Sequence, residues 1–186
     1  MPSSRDNLRT FFALCPRAEA AQALAALAAE LGAACDGRAL ASASLHLTLA
    51  FIGPTPPARL EALRVAGAQA ARGSRPVRLI LSEVGGPHGG DLAWIAGEAP
   101  PDDPIRELHA KLTDGLVKAG FPTERRSFRP HVTLVRKCRR RVGARAVAPI
   151  ALESRELVLM ASELGREGAR YTPLAAWPLA ESAGDR

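Results

Sequence analysis

Two tetrapeptides of the same type carry the residues best suited to chemistry: His46-Leu47-Thr48-Leu49 and His131-Val132-Thr133-Leu134. The chain of 186 residues contains only four histidines. A His-x-Thr triplet with apolar second and fourth positions is expected by chance roughly 0.03 times in such a chain, and two of them about once in a thousand chains. The repetition therefore indicates a functional pair.

The spacing within each tetrapeptide suits a β-strand, in which residues i and i+2 point to the same face. His46 and Thr48 then share one face, and His131 and Thr133 share the corresponding face of the second copy. The alternate apolar residues are expected on the opposite, buried faces: Leu47, Leu49, Phe51, Val132 and Leu134. If the two halves pack about a pseudo-twofold axis, two imidazoles and two hydroxyls converge from opposite walls of a cleft.

Two imidazoles and two hydroxyls are suited to cleaving a phosphodiester. One imidazole can remove a proton from attacking water while the other protonates the leaving oxygen. Histidine suits both tasks because its ordinary pKa lies near 6.5. Threonine hydroxyls can donate hydrogen bonds to the non-bridging oxygens, where negative charge develops. This chemistry requires no metal ion.

The sequence around the tetrapeptides predicts the elements that position them. Strands are expected at Leu8–Leu14, Ser44–Ile52, Val77–Val84, Leu92–Ala96, Arg129–Val135, Glu156–Leu164 and Tyr171–Leu179. Helices are expected at Ala18–Leu31 with Gly32 at its end, at Pro57–Arg72, and from Asp103-Pro104 to about Ala119.

This order of elements predicts an α+β fold with two similar halves. The first half spans about residues 1–76 and the second about 77–179, and each contains a helix followed by a strand of the His-apolar-Thr-Leu type. Residues 180–186 are expected to form a loose tail. Because no long linker separates the halves, we expect one bilobal domain.

The composition excludes several classes of protein. Cys15, Cys35 and Cys138 are far apart and form no CxxC pair, so the sequence predicts neither a disulfide framework nor a thiolate zinc site. Residues 1–9 lack the apolar core of a signal peptide, and the Ala-rich stretch 18–34 is too polar to span a membrane. We therefore expect a cytoplasmic monomer with no membrane association and no obligate protein partner.

At these motifs the sequence resembles the 2H phosphoesterase superfamily, named for its two His-x-Thr/Ser-x motifs. The resemblance is greater to the LigT-like RNA 2′,3′-cyclic phosphodiesterases of bacteria and archaea, also called 2′-5′ RNA ligases. It extends to LRTFFAL near the start, LHLTLAFIG, GF…RRSFRPHVTLVR, and ARYTPLAAWPL near the end. It thus covers nearly the whole chain.

The resemblance implies a bilobal fold in which antiparallel sheets line a central cleft, with helices outside. It also implies hydrolysis of RNA 2′,3′-cyclic phosphate ends to 2′-phosphomonoesters, and the same site permits reversible 2′-5′ ligation of RNA. His46 is then the proton donor to the 3′ leaving oxygen, and His131 is the base that activates water. Thr48 and Thr133 hold the phosphate, and no metal or cofactor is expected.

Three further residues are candidates for auxiliary roles in the cleft. Arg129 has the strand parity of His131, Arg136 lies at the end of the same strand, and either can neutralise a phosphate. Tyr171 is expected in the core, with an auxiliary position in the cleft as the alternative. The other aromatic residues considered are expected in the core, with a base-stacking position as the alternative for Phe51: Phe11, Phe12, Phe51 and Trp177. His88 and His109 fit ordinary turn and helix positions.

The net charge of +6 is concentrated around the second motif. Nine basic residues and no acidic residue lie between positions 125 and 145, whereas the rest of the chain carries −3. This basic cluster consists of Arg125, Arg126, Arg129, Arg136, Lys137, Arg139, Arg140, Arg141 and Arg145. It predicts a salt-sensitive RNA-backbone surface at Arg139–Arg141 and a lowered pKa for His131.

Two alternative functions remain open on the sequence alone. The same site suits a small substrate, such as ADP-ribose cyclic phosphate, a cyclic nucleotide or a 2′-5′ linkage. A non-catalytic module that binds RNA phosphate ends is the other alternative, although two intact motifs disfavour it.

Overall fold

The chain folds into one continuous antiparallel sheet with helices packed against it. A computed structural model gives the fold of residues 8–87, 90–124, 126–165 and 168–180. His88, Arg125 and residues 181–186, which make up nearly all of the predicted tail, lie outside these ranges.

Nine strands, three α-helices and two 3₁₀ turns, at Ser42–Ser44 and Pro57–Arg59, lie within the described ranges. The strands are β1 (Leu8–Leu14), β2 (Arg38–Ala39), β3 (Leu47–Thr55), β4 (Val77–Gly85), β5 (Leu92–Ala96), β6 (His131–Arg136), β7 (Arg145–Ser154), β8 (Glu156–Gly165) and β9 (Gly168–Pro178). The helices are α1 (Ala18–Cys35), α2 (Leu60–Ala71) and α3 (Pro104–Lys118). The predicted α+β class is confirmed.

The two motif strands are neighbours in the middle of the sheet. The strand order is β7-β4-β5-β6-β3-β1-β8-β9, and the short β2 also pairs with β6. β8 and β9 extend the sheet from β1, although they follow β7 in the chain. The predicted halves, residues 1–76 and 77–179, therefore do not correspond to the two sides of the sheet, because β8 and β9 belong to the second range but lie on the side of β1.

The sheet is strongly curled. The ring of Tyr171 on β9 lies 4.9 Å, centroid to centroid, from the ring of His46, which immediately precedes β3. Tyr171 also accepts a hydrogen bond of 3.4 Å from Arg136 on β6. β6 and β9 are four strands apart, a distance of about 19 Å in a flat sheet. The sheet must therefore curve into a half-barrel, and its concave face forms the predicted central cleft.

The helices cover the other face of the sheet. α1 packs against β6 and β7, α2 against β8 and β9, and α3 against β4 and α2. Gly67 brings α2 close to the sheet, because a Cβ there would lie 2.5 Å from the ring of Trp177. Trp177 also lies near the ring of the fully buried Phe12, as expected for core residues.

α1 extends beyond its predicted end. Gly32 does not stop the helix but lies buried where α1 crosses the chain near Ala39. The helix ends instead at Cys35, its C-cap Asp36 has a left-handed φ of 50°, and the Gly37 N–H donates to the Gly32 carbonyl. The close approach of backbone, rather than a turn, explains the glycine at position 32.

Sequence reasoning missed β7, which begins inside the basic cluster. It is an edge strand, much of it is exposed, and it contains Pro149. Proline has no backbone N–H to donate to a neighbouring strand. An edge strand tolerates it because such a strand is paired on one side only. Because of its charged residues and its proline, the sequence pattern of this segment does not indicate a strand.

Candidate active site

The two tetrapeptides lie side by side on adjacent strands, not on opposite walls of the cleft as predicted. Leu47 pairs with Val132 in an antiparallel arrangement, and both side chains are fully buried. The pairing therefore places His46 opposite Thr133 and Thr48 opposite His131 on the concave face. The reason for the difference is that the two motif strands pair directly with each other.

This pairing gives the four polar side chains an approximate twofold axis through the Leu47–Val132 pair. Residues in a diagonal relation across an antiparallel pair are about 7–8 Å apart, which applies to His46 and His131. The two imidazoles therefore stand at opposite corners of this polar group, with one hydroxyl beside each of them.

Each histidine ring is fixed in the same way by its own chain. His46 Nδ1 lies 2.8 Å from the carbonyl oxygen of Ser44, and His131 Nδ1 lies 2.9 Å from that of Arg129. A carbonyl can only accept, so Nδ1 is the donor in both rings. Nε2 of each ring is left to exchange a proton with a substrate. Sequence reasoning did not anticipate these two orienting carbonyls.

His46 is the more enclosed of the two histidines. Its ring lies between those of Phe11, at 4.8 Å, and Tyr171, at 4.9 Å, whereas the side chain of His131 is exposed. Phe11 is buried as predicted, and Tyr171 lies in the cleft rather than in the core.

Burial lowers the pKa of His46 below its ordinary value of 6.5, and the charges of Arg136 and His131 lower it further against an opposing hydrogen bond to Ser44. The folded protein thus favours the neutral ring of His46. The stability associated with this neutral ring is complete above pH 6.5 and declines as the pH falls towards the lowered pKa. The sequence had predicted that basic residues would act on His131, but Arg136 acts on His46.

The two auxiliary arginines have different surroundings. Arg136 extends towards Tyr171 and His46, at one end of the polar centre. Arg129 donates a 2.8 Å hydrogen bond to the carboxylate of Glu83, and its guanidinium lies 4.7 Å from the centre of the Trp94 ring. The charge of Arg129 is therefore already paired, and its contact with His131 is made through its carbonyl group.

A cavity of about 460 Å³ opens beside Thr48 and His131. Phe51, Trp94 and Phe128 contribute aromatic surface to its walls. The volume lies within the range of small-molecule binding pockets, roughly 300–1,000 Å³. The polar centre formed by His46, Thr48, His131 and Thr133 thus has a cationic end near Arg136 and an aromatic end in this cavity.

Phe51 is 45% exposed, so its predicted core position is wrong. β3 pairs with β1 through two irregularities, which leave Leu49 and Ile52 without direct partners. Such bulges change the face to which later residues point. Strict alternation from Leu47 therefore fails at Phe51, which enters the cavity wall.

The basic loop, residues 137–144, continues directly from β6 beyond Arg136. Arg139, Arg140 and Arg141 are exposed, and Arg139 forms a 3.5 Å ion pair with Asp36. The backbone N–H groups of Arg139 and Arg140 both donate to the Cys35 carbonyl at 2.9 Å. The loop is thus anchored at the end of α1 while its three arginine side chains face solvent.

Within the described ranges, no three His, Cys, Asp or Glu side chains are grouped closely enough to hold a metal ion. His109, on α3, instead stacks on Phe128 with ring centroids 4.1 Å apart. None of the helices described is both long and apolar enough to cross a membrane.

Residues 10–165 match the model of the 2′-5′ RNA ligase superfamily. The chain belongs to this superfamily. The resemblance inferred from the two motifs is thereby confirmed, as is a LigT-like fold.

Two relatives of this superfamily member are named RNA 2′,3′-cyclic phosphodiesterase. The one from Escherichia coli is 31% identical over 150 residues, which cover 78% of this chain and 81% of the relative. The one from Geobacillus stearothermophilus is 30% identical over 146 residues, or 72% of this chain and 45% of that longer protein.

Solved structures resemble the superfamily member over nearly its whole length. A phosphoesterase crystal structure is 29% identical with a TM-score of 0.81, covering 94% of this chain and 99% of that one. E. coli LigT in complex with 3′-AMP is 30% identical with a TM-score of 0.76, covering 93% and 98%.

The position of Arg136 predicts a measurable effect in this superfamily member. The Arg136→Gln substitution removes a cation that lowers the pKa of His46, so this pKa should rise. It should stay below 6.5, because burial is the larger cause. NMR titration of the imidazole signals measures the change.

Arg145→Gln provides a matched control, because Arg145 pairs with Glu30 on α1. This variant should leave the His46 titration unchanged. An unaltered or lowered pKa in Arg136→Gln would show that the arginine does not act on His46.

Proposed function

We propose that the chain hydrolyses 2′,3′-cyclic phosphate ends of RNA to 2′-phosphomonoesters, without a metal ion. The observation that carries this proposal is the antiparallel pairing of the two motifs about Leu47 and Val132. Two imidazoles with oriented Nδ1 atoms and two hydroxyls surround a space suited to one phosphate. The names of both relatives support the same substrate.

In the proposed reaction, the two histidines act on opposite sides of the phosphorus. Nε2 of His131 removes a proton from water, whose oxygen forms the new bond to phosphorus. Nε2 of His46 donates a proton to the 3′ oxygen as its bond to phosphorus breaks. The diagonal placement of the rings suits this in-line geometry. If the 5′-hydroxyl of a second RNA end replaces water, the same steps join the two ends: its oxygen bonds to phosphorus, His131 takes its proton, and the 3′ oxygen leaves with a proton from His46 to give a 2′-5′ linkage.

The surroundings of His46 fit a donor whose protonation depends on the substrate. In the free protein, burial and Arg136 hold its pKa low. An anionic phosphodiester beside the ring favours the charged imidazolium and therefore raises that pKa. We infer that substrate binding itself protonates His46, so the acid forms where it is used.

The other residues of the centre have supporting roles in the proposal. The hydroxyls of Thr48 and Thr133 donate to the non-bridging oxygens as their charge increases. Arg136 supplies positive charge. Tyr171 positions Arg136 by accepting its hydrogen bond, and its ring packs against that of His46. Arg129 positions His131 through its carbonyl group. The reaction uses no cofactor and no second protein chain.

The direct test is an assay with an oligoribonucleotide that ends in a 2′,3′-cyclic phosphate, in the presence of EDTA. We expect full turnover to an end that carries a 2′-phosphate, identified against synthetic 2′- and 3′-phosphate standards. A 3′-phosphate product, or loss of activity in EDTA, would contradict the mechanism. Faster turnover of ADP-ribose cyclic phosphate would favour a small-molecule substrate, and binding without turnover would favour a non-catalytic module.

We further propose that the exposed arginines of the basic loop bind the RNA backbone upstream of the reacting end. Replacing Arg139, Arg140 and Arg141 by Gln should weaken RNA binding and reduce its salt dependence. The slope of log K against log salt falls by about 0.7 for each single-strand phosphate that is no longer neutralised. Turnover of a mononucleotide cyclic phosphate should change less than about twofold, because the loop lies beyond the centre.

Binding is measured by fluorescence anisotropy with RNA that already carries the 2′-phosphate, so that no cleavage occurs. A triple variant with the same loss of charge on other surfaces is the matched control: Arg64→Gln, Arg75→Gln and Arg78→Gln. If the salt slopes of the two triple variants are equal, the weaker RNA binding results from the lower net charge alone and not from the basic loop.

A further inference from the structure

Two cysteines that are distant in the sequence meet beneath the basic loop. Cys35 is the last residue of α1, and Cys138 is the second residue of the basic loop. Their Sγ atoms lie 2.7 Å apart, although 103 positions separate the residues. Both are free thiols, with exposed fractions of 1% and 8%.

The backbone on both sides holds this contact in place. The carbonyl of Cys35 accepts hydrogen bonds from the N–H groups of Arg139 and Arg140, and the Cys138 N–H donates to the Asp91 carbonyl. Gly37 covers the pair so closely that a Cβ would lie 2.9 Å from Cys35 Sγ and 3.1 Å from Cys138 Cα. The two sulfurs are therefore positioned by main-chain contacts rather than by their own attraction.

We propose that Cys35 and Cys138 form a reversible disulfide that fastens the basic loop to the end of α1. The separation of 2.7 Å exceeds the disulfide bond length of about 2.05 Å by less than 1 Å, so a small movement suffices. The site is a redox modification site that lies outside the two-histidine centre and does not depend on its function.

The oxidant in this step is a small-molecule disulfide. One cysteine thiolate attacks a sulfur of the oxidant and releases one small thiol, which leaves a mixed disulfide. The second cysteine sulfur attacks the protein sulfur of that bond and releases the other small thiol. Overall, two cysteine thiols are oxidised, one disulfide is reduced to two thiols, and the two protons pass to the products.

The reaction should be slow in the folded protein. Burial and the adjacent Cys35 raise the pKa of Cys138 to about 12, so little thiolate is present at neutral pH. Once formed, the bond closes a loop of about a hundred residues, for which the stabilisation is large. We expect the oxidised protein to unfold at least about 5 °C above the reduced protein.

The test uses the full-length Cys15→Ser variant, because Cys15 is partly accessible and outside the pair. The protein is incubated with oxidised glutathione until its thiol content is constant, then denatured and alkylated. We expect an intact mass lower by two hydrogen atoms, a linked peptide pair containing Cys35 and Cys138, and the higher Tm. A reducing agent should reverse all three changes.

The Cys15→Ser/Cys35→Ser and Cys15→Ser/Cys138→Ser variants are the controls. Neither should show a Tm that depends on the oxidant. The proposal is overturned if both thiols of the Cys15→Ser protein remain open to alkylation at the end point, or if the stable product is a glutathione adduct. A linked pair without a rise in Tm would refute the fastening of the loop.

Discussion

Replacing either His46 or His131 by alanine should lower kcat for a 2′,3′-cyclic phosphate end by about 10²–10⁴-fold. Each ring is held by one Nδ1 hydrogen bond to its own chain, so its loss removes a proton donor or acceptor without breaking the sheet. Single-turnover assays at saturating substrate measure the chemical step.

The two histidines act in one step, so their losses should not add. The double variant should be little slower than the slower single variant. We expect a bell-shaped pH–rate profile for the wild type, and each single variant should lose one limb because one ionising group is removed.

His109→Ala removes an imidazole from the wall of the adjacent cavity and not from the two-histidine centre, so we expect less than about a tenfold effect on kcat from it. Undiminished turnover in both His46→Ala and His131→Ala would exclude the two-histidine mechanism. The Tm of each variant shows whether a loss of activity reflects unfolding.

Replacing Thr48 or Thr133 by valine should reduce kcat by about 10²–10³-fold, with a much smaller effect on KM. Valine has the shape and β-propensity of threonine, so the half-exposed strand positions should tolerate it. The approximate twofold axis predicts losses of similar size at both positions. Thr48→Ser should retain most of the activity because it keeps the hydroxyl.

Thr172→Val is the control, since Thr172 is exposed on β9 next to Tyr171. Its kcat should match that of the wild type. If Thr48→Val and Thr133→Val raise KM but leave kcat unchanged, the hydroxyls bind ground state and transition state equally.

Much of the fold could be predicted because it follows from local patterns. β1 and β5 have the predicted bounds, and α3 begins at Pro104 with Asp103 as its cap, as the sequence indicates. The cap is explicit, because the Asp103 side chain accepts a hydrogen bond from the Ile105 N–H. Where residue type alone determines an element, prediction succeeds.

The failures arise where distant segments meet. The bulges that expose Phe51 depend on how β3 pairs with β1, and nothing in the alternation around Phe51 signals them. β7 depends on its place at the sheet edge, and the Cys35–Cys138 contact joins α1 to the basic loop. The candidate site was predictable in its residue types, but the adjacency of its two strands and its orienting carbonyls were not.

The register of β3 against β6 determines the arrangement of the catalytic groups. No tight turn sets it, because the two strands are far apart in the chain, and the buried side chains of Leu47 and Val132 must do so. A slip of one residue in either strand would turn its histidine and threonine into the core. A slip of two would preserve the faces but place like residues opposite each other, two imidazoles or two hydroxyls. Core packing at one apolar pair therefore determines which groups meet across the phosphate.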